Sequence, residues 1–284
     1  MGLYLALLKD ACTELWAKKL RTFLTLLGMI FGVGAVIAML NIGEGAEREA
    51  LQMINSMGAN NLIIKQNFAE KDALVELREQ TLGLTMDDIQ AAKQTLPFIN
   101  NFSASKTIDT YSIYSDFGKT HAQALGVTFG YFQQANLALD NGSIFSPEDE
   151  IALLQVAVIG ADVADELFPN GNAIGGLIKV NHLWLTVIGV IQRPQTKQDE
   201  FQGVKIGGDQ NRIFLPLSTA QQKLKQQRLA SELDEIKLGI VENYDPRIAA
   251  LAVDRLIAQR HGDVKDYQLI VPAALLEQLS LIHI

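Results

Sequence analysis

The chain has 284 residues, a formal net charge of -8, 48% hydrophobic residues and a single cysteine. The acidic balance argues against nucleic-acid binding, because affinity for a phosphate backbone depends on a basic surface. With Cys12 as its one cysteine, the chain cannot form an internal disulfide, so its folded part depends on a hydrophobic core. The length is sufficient for a membrane helix and one large or two modest domains.

The longest apolar stretch covers residues 22–41 and contains no charged side chain. Twenty helical residues rise about 30 Å, which matches the hydrocarbon thickness of a bilayer. A cleaved signal peptide has a shorter apolar core, and a buried helix of a soluble domain usually has a polar side. The stretch therefore predicts a transmembrane helix over 22–41.

The charges beside this stretch predict its orientation. Lys18, Lys19 and Arg21 precede it, whereas Glu44 is the first charge after it. Clustered Lys and Arg remain on the cytoplasmic side, so we expect residues 1–21 inside the cell and the remainder outside. Residues 1–21 also have the apolar spacing of an amphipathic helix, which either lies at the cytoplasmic interface or extends the membrane helix.

Small residues mark the predicted membrane helix. Gly28, Gly32 and Gly34 lie within it, and the first two have Gly-x-x-x-Gly spacing. In lipid, small residues let a second helix approach closely. These glycines are therefore the candidate helix-packing residues. Relief of local crowding is the alternative for any one of them.

A helical pattern continues beyond the predicted membrane helix over residues 42–58. Leu51, Ile54 and Met57 recur on one side of this segment. A helix that continues out of the membrane would couple it mechanically to an outer domain. Gly45, Leu51, Ile54 and Met57 are therefore the candidate residues of a transmission stalk.

Residues 59–274 are predicted to form a mixed α/β domain. A strand at 61–66, a helix at 85–96 after a capping-box sequence and a strand from 98 open it. A strand at 235–241, a helix at 245–261 and a strand at 267–271 repeat that order near its end. The predicted fold class is thus membrane-anchored α+β, with two strand–helix–strand halves.

The middle of this domain is predicted to contain further strands, helices and one exposed loop. Strands are expected at 98–114, 120–127, 156–160, 178–180, 183–191 and 213–217. Residues 130–132 are expected to form a short turn or helix. Helices are expected after the N-cap Ser146, at 161–167 and from the N-cap Ser218, with a polar loop at 192–209.

No catalytic, cofactor or metal pattern is present in the sequence. The histidines are far apart, and none has a further ligand at metal spacing, so each is predicted to be a surface or strand residue. They are His121, His182, His261 and His283. We expect no cofactor and no enzymatic activity.

One tripeptide, Gly118-Lys119-Thr120, resembles the end of a phosphate-binding loop. Ile113 occupies the place of the glycine that opens such a loop, and predicted strands flank the tripeptide. Lys119 is therefore predicted to be a hairpin lysine.

The run over residues 19–34, followed by Gly-Glu-Gly-Ala at 43–46, resembles the first transmembrane helix of MacB-like (FtsX-like) ABC transporter permeases. The outer domain resembles the periplasmic core of the same family. The segments that carry this resemblance are 56–62, 126–127 with 131–132, 156–160 with 167–168, 174–175, 187–191 and 213–217.

The resemblance implies a permease of the bacterial inner membrane with four transmembrane helices and a periplasmic domain between the first two. It implies assembly with a second permease copy, as a homo- or heterodimer, and coupling to a cytoplasmic ABC ATPase. Because no ATPase sequence precedes Met1, a separate ATPase subunit is expected. A periplasmic adaptor protein is a further implied partner.

The chain stops at Ile284, where the family would enter its second transmembrane helix. Residues 275–284 are therefore interpreted as a truncated lead-in to that helix. The leading hypothesis is the first membrane helix and periplasmic core of an export or mechanotransmission permease. The alternative is a single-span envelope protein whose outer domain binds a ligand or partner and signals inward. An envelope enzyme ranks third.

Overall fold

The computed structural model describes residues 18–58, 60–67, 71–193, 200–201, 204–205, 208–227, 229–241 and 244–274. The predicted interfacial helix, apart from its last residues, and the lead-in at 275–284 lie outside the described residues. The chain divides into two compact units, Met1–Leu51 and Gln52–Ile284.

A single long helix, α1 (Lys19–Met57), contains the predicted membrane segment. Its part Lys19–Gly45 is long and apolar enough to cross a bilayer, with a mean hydropathy of 2.4 and no buried residue in its most apolar window. The Thr25 hydroxyl donates to the carbonyl oxygens of Arg21 and Thr22 at 3.0 and 2.9 Å. Such bonding satisfies a polar group without water, as a lipid environment requires.

The remaining helices of the described residues are short or of moderate length. They are α2 (Lys71–Gln80), α3 (Met86–Thr95), α4 (Gly130–Gln134), α5 (Pro147–Ile151), α6 (Ala161–Leu167), α7 (Leu217–Lys223) and α8 (Pro246–Arg260), with a 3-10 turn at Asp209–Asn211.

Fourteen strands are found in the described residues. They are β1 (Asn61–Gln66), β2 (Ile99–Ile108), β3 (Ile113–Ser115), β4 (Lys119–Thr120), β5 (Gln123–Val127), β6 (Leu139–Gly142), β7 (Val156–Gly160), β8 (Leu177–Val180), β9 (Leu183–Ile191), β10 (Glu200–Phe201), β11 (Val204–Lys205), β12 (Arg212–Pro216), β13 (Glu235–Ile240) and β14 (Tyr267–Ile270).

Twelve of these strands form one sheet in the order β14-β1-β13-β2-β5-β12-β7-β9-β8-β3-β4, with β6 pairing additionally with β9. The β5–β12 and β7–β9 pairs are parallel, and the other pairs of this sheet are antiparallel. Strands β10 and β11 form a separate hairpin inside the segment predicted as a loop at 192–209, which corrects that prediction in part.

The first part of the sheet is built from the two predicted strand–helix–strand halves. Their strands interleave in the order β14-β1-β13-β2, which is the split β-α-β arrangement with α3 and α8 as its helices. Both helices and these strands share one apolar core that includes Leu62, Ile89, Ile236, Val253 and Ile257. The prediction of two such halves is confirmed. The structure adds that the strands of the two halves interleave in one sheet.

The second part of the sheet is formed by the chain between β2 and β13. Alternating residues of β7 enter different cores, since Ala157 and Ile159 belong to one cluster and Val158 to another. Alternation along a strand separates the two faces of a sheet. The Val158 side is aromatic, with the ring centroid of Phe132 5.2 Å from that of Phe145 and 5.7 Å from that of Phe214.

Three local predictions differ from the structure. The strand expected over 120–127 is divided, since β4 ends at Thr120 and β5 begins at Gln123. The strand expected over 98–114 is interrupted between β2 and β3, where Asn181 accepts from the Tyr111 amide at 2.9 Å and donates to the Asp109 carbonyl at 2.8 Å. Ser218 does not cap α7, because that helix begins at Leu217 and the Ser218 hydroxyl donates to the Glu150 carbonyl. By contrast, Ser146 is the N-cap of α5, as expected, and also forms a capping box with Asp149.

Replacing Phe145 by Ala should destabilise the outer domain by about 3 to 5 kcal/mol, because the ring is fully buried among other aromatic rings. Urea unfolding of the full chain in detergent, followed by tryptophan fluorescence, measures the change. Ile151→Ala is the control, since Ile151 is 83% exposed. The free energy of unfolding of this variant should lie within about 0.5 kcal/mol of the parent's. Equal losses for the two variants would contradict the assigned packing.

Candidate functional site

The predicted helix-packing glycines lie on an open part of α1. A Cβ atom placed on Gly28, Gly32 or Gly34 would meet no other atom within 4 Å. Because an α-helix turns about 100° per residue, Gly28 and Gly32 lie about 40° apart on one side. Gly34 lies about 200° around the axis from Gly32, so the three glycines do not form one face. The structure therefore groups the first two and places Gly34 on another side.

Large apolar side chains surround these glycines and are exposed. Met39 and Ile42 are 77% and 73% exposed, and Phe31 is 68% exposed. An apolar surface of this extent is far larger than the patches that soluble monomers leave in water. Over Lys19–Gly45 the helix therefore has an apolar surface that suits lipid or other helices.

The predicted transmission residues Gly45, Leu51, Ile54 and Met57 all lie in α1. No proline occurs in this 39-residue helix, so nothing in its sequence requires a break between the apolar part and Met57.

An ionic cluster, absent from the predicted site residues, lies in the interleaved halves, and all of its side chains except that of Arg260 are buried. We name it the His261 cluster and define it by Asp88, Arg260, His261 and Asp266. The His261 Nδ1 atom lies 2.6 Å from Asp266 Oδ1, and its Nε2 atom lies 3.3 Å from Asp88 Oδ2. Arg260 Nε donates to the other Asp88 oxygen at 2.5 Å.

The cluster shifts the protonation equilibria of its members. Burial alone would lower the pKa of His261, but hydrogen bonds and charge from Asp266 and Asp88 outweigh it and raise the pKa to about 9. Burial alone would raise the pKa of Asp88, but hydrogen bonds from His261, Arg260 and Thr85 lower it to about 2. At neutral pH the cluster thus contains an imidazolium between two carboxylates.

Helix ends bring these groups together. Asp88 belongs to the capping box at the start of α3, where its carboxylate accepts from the Thr85 amide at 2.9 Å. His261 is the C-cap residue of α8. A negative group at a helix start and a positive group at a helix end are both favourable. The capping box was visible in the sequence, whereas the pairing of Asp88 with His261 was not.

The geometry indicates a structural role for the cluster. The side chains of Asp88, His261 and Asp266 are 3%, 4% and 1% exposed, and both imidazole nitrogens are occupied. The prediction that His261 lies on the surface or in a strand is therefore wrong. His121 and His182 are exposed, as expected, whereas His283 lies outside the described residues. Within the described ranges, no group of three or more His, Cys, Asp or Glu residues could hold a metal.

The model of the MacB-like periplasmic core domain matches residues 22–255. The match includes most of α1, the strands from β1 to β13 and most of α8. The chain belongs to this family. One family model therefore includes both the apolar helix and the α/β domain, as the resemblance in the sequence implied.

Curated relatives agree with this assignment. The macrolide export ATP-binding/permease protein MacB of Pectobacterium atrosepticum is 31% identical over 263 residues, covering 91% of this chain and 38% of the relative. The probable syringafactin export ATP-binding/permease protein SyfD of Pseudomonas syringae is 30% identical, covering 94% of this chain and 38% of the relative. The chain thus spans less than half of the length of these relatives.

Solved structures share the fold of this MacB-like core domain. The periplasmic region of MacB from Actinobacillus actinomycetemcomitans matches with a TM-score of 0.63 at 20% identity, covering 81% of this chain and 97% of that structure. The extracellular domain of the transporter YknZ from Gram-positive bacteria matches with a TM-score of 0.57 at 16% identity, covering 74% and 100% of the two chains. At these identities the comparison establishes the fold.

The His261 cluster should make the stability of the core domain depend on pH. A pKa raised from 6.5 to about 9 stabilises the fold fully below pH 6.5, and this contribution is lost as pH rises toward 9. The lowered pKa of Asp88 stabilises the fold above pH 3.8, and this contribution is lost as pH falls toward 2. Urea unfolding of the full chain at pH 6 and pH 9 should show lower stability at about pH 9.

Replacing His261 by Gln should remove most of this difference and cost about 3 kcal/mol at pH 6, because the carboxylates lose their shared cation. His121→Gln is the matched control, since His121 is exposed. The same pH dependence in the His261 and His121 variants would contradict the assignment.

Proposed function

We propose that the chain provides the first transmembrane helix and the periplasmic core domain of a MacB-type ABC permease in a bacterial inner membrane. In this proposal the N-terminus is cytoplasmic and the α/β domain is periplasmic, as the charges before residue 22 favour. The observation that carries the proposal is the family match over 22–255, which begins inside the apolar helix.

The proposed partners follow from the same membership. The names of the relatives combine ATP binding, a permease and export of macrolides or syringafactin. We therefore expect ATP hydrolysis to drive the complex and assign it to a separate ABC ATPase subunit, with a second permease copy beside this one. A periplasmic adaptor protein is a further proposed partner. The cargo is proposed to be a compound that the complex exports.

The proposed mechanism is mechanical. Helices of the membrane bundle move when the ATPase binds and hydrolyses ATP, and α1 carries that displacement through Gly45, Leu51, Ile54 and Met57. The His261 cluster supports this role, because charged hydrogen bonds between α3, α8 and the segment before β14 stiffen the core domain. A stiff domain moves as a unit and can act on cargo or adaptor outside the membrane.

Gly28 and Gly32 are proposed to seat a neighbouring helix of the bundle. Gly32→Leu should lower the yield of assembled permease at least several-fold, because the added side chain prevents close approach. Size-exclusion chromatography of the complex from native membranes measures assembly. Val33→Phe is the control, as it adds bulk about 100° around the helix from Gly32. Full assembly of the Gly32 variant would argue against this role.

The stalk offers the test of the proposed function. Leu51→Pro in the complete permease should leave ATP hydrolysis measurable but abolish export, because proline kinks the helix between the membrane and the domain. Leu51→Ala, which keeps the helix, should export normally. Both activities are measured on the complex reconstituted in vesicles.

Two results would contradict this proposal. One is export by the proline variant at the parent rate, which would exclude α1 as the transmission element. The other is purification of the native complex without any ABC ATPase, which would exclude the permease assignment itself.

A further inference from the structure

The far end of the sheet presents a row of alternating lysines and aromatic residues. Tyr114 of β3 pairs with Lys119 of β4 on one side and with Lys179 of β8 on the other, and Lys179 pairs with Trp184 of β9. Directly paired residues project from the same face of a sheet. We name these four residues the lysine–aromatic ladder.

The ladder holds a cation over two rings, that of the exposed Trp184 and that of the half-buried Tyr114. Lys179 Nζ lies 5.6 Å from the ring centroid of Tyr114 and 5.5 Å from that of Trp184. The two rings meet edge to face, with centroids 6.2 Å apart. Trp184 remains 42% exposed. Cation–π contacts fix the ammonium group without neutralising it, so its charge is still available to an anion.

A cavity of about 530 Å³ lies at the Lys119 end of the ladder. Its lining includes Tyr111, Tyr114, Lys119 and His121, and no acidic side chain of the described residues lines it. No ion pair joins Lys119 or Lys179 to a carboxylate in the described part of the chain. In a protein of net charge -8, this is a local basic site with aromatic walls.

The cavity is built on a fixed hairpin. The Ser115 hydroxyl donates to the Leu167 carbonyl at 2.6 Å and accepts from the Gly118 amide at 3.1 Å. Asn181 accepts from the amide of the lining residue Tyr111 at 2.9 Å. A preformed site of this kind loses little conformational entropy when a ligand enters.

A simpler explanation accounts for only part of this arrangement. Strand β4 is the end strand of the sheet, and an edge lysine such as Lys119 discourages pairing with other chains. That role does not require Tyr111 to be 77% exposed beside the same cavity. Nor does it require a second lysine, Lys179 on β8 beyond β3, that has aromatic rather than acidic neighbours.

We propose that this cavity binds a small amphipathic anion, with its carboxylate at Lys119 and His121 and its planar apolar body against Tyr111 and Tyr114. Lys179 supplies a second positive charge beside the site. The lining of this open cavity brings a lysine and a histidine next to tyrosine rings, which suits a small anion with an aromatic body. The site does not depend on the permease assignment.

Calorimetric titration of the full chain in lipid nanodiscs with 2-naphthoate tests the proposal, with empty nanodiscs as the blank. Neutral 2-naphthalenemethanol is the matched ligand without the charge. We expect 2-naphthoate to bind at least tenfold more tightly than the alcohol. Lys119→Gln should weaken naphthoate binding about tenfold, as expected when a charge-assisted contact is lost.

The control variant is Lys93→Gln, because Lys93 also lies over an aromatic ring, that of Phe102 at 4.7 Å, but on α3. It should bind naphthoate like the parent. Tyr114→Leu provides a second variant that retains an apolar strand residue and should also weaken binding.

Three outcomes would overturn the proposal. They are no naphthoate binding at millimolar concentration, equal binding of the alcohol, and unchanged binding in the Lys119 variant. Failure of naphthoate together with photocrosslinking of another polypeptide from position 111 would instead identify a protein-docking surface.

Discussion

The pairing of β1 with β13 is the contact on which the outer domain depends. Asn61 lies opposite Gly239 and Lys65 opposite Glu235, so this strand pair joins the beginning of the domain to its end. Strand β1 is also paired with β14, and its residues Leu62, Ile63 and Ile64 are completely buried. Because β1 lies between two strands from the end of the domain, the first half cannot complete its sheet without the second. The segment between β2 and β13 is therefore an insertion between two halves whose strands pair with each other.

The His261 cluster acts on the same interleaved halves by electrostatics. Charged groups are costly to bury, and an apolar core of equal volume would often be as stable. The cluster stabilises a particular arrangement, since each imidazole nitrogen faces a carboxylate from a different segment and Arg260 occupies the remaining oxygen of Asp88. Thr81 donates to the second oxygen of Asp266 at 2.9 Å, which includes the loop after α2 in the network. These contacts form together only when the four segments are in their native arrangement.

Local patterns predicted local elements well. Helix α6 and strands β1 and β7 have the bounds expected from the sequence, because their apolar spacing and flanking residues suffice to define them. The failures involve distant partners. The interruption after β2 depends on Asn181, the Ser218 hydroxyl is used by Glu150, and His261 meets Asp88 from 173 residues away. Such contacts follow from sheet order, which periodicity along the chain does not contain.

The outer domain and helix α1 differ in where their apolar and charged side chains lie. The outer domain buries large apolar side chains in three cores and pairs buried charges such as Lys106 with Asp234 and His261 with Asp266, with the exposed ladder as a marked exception. Over Lys19–Gly45, helix α1 forms no core of this kind, because its large apolar side chains are exposed and its small residues lie on more than one side. Small residues and large apolar ones on a helix with few polar positions suit lipid on some sides and close helix neighbours on others.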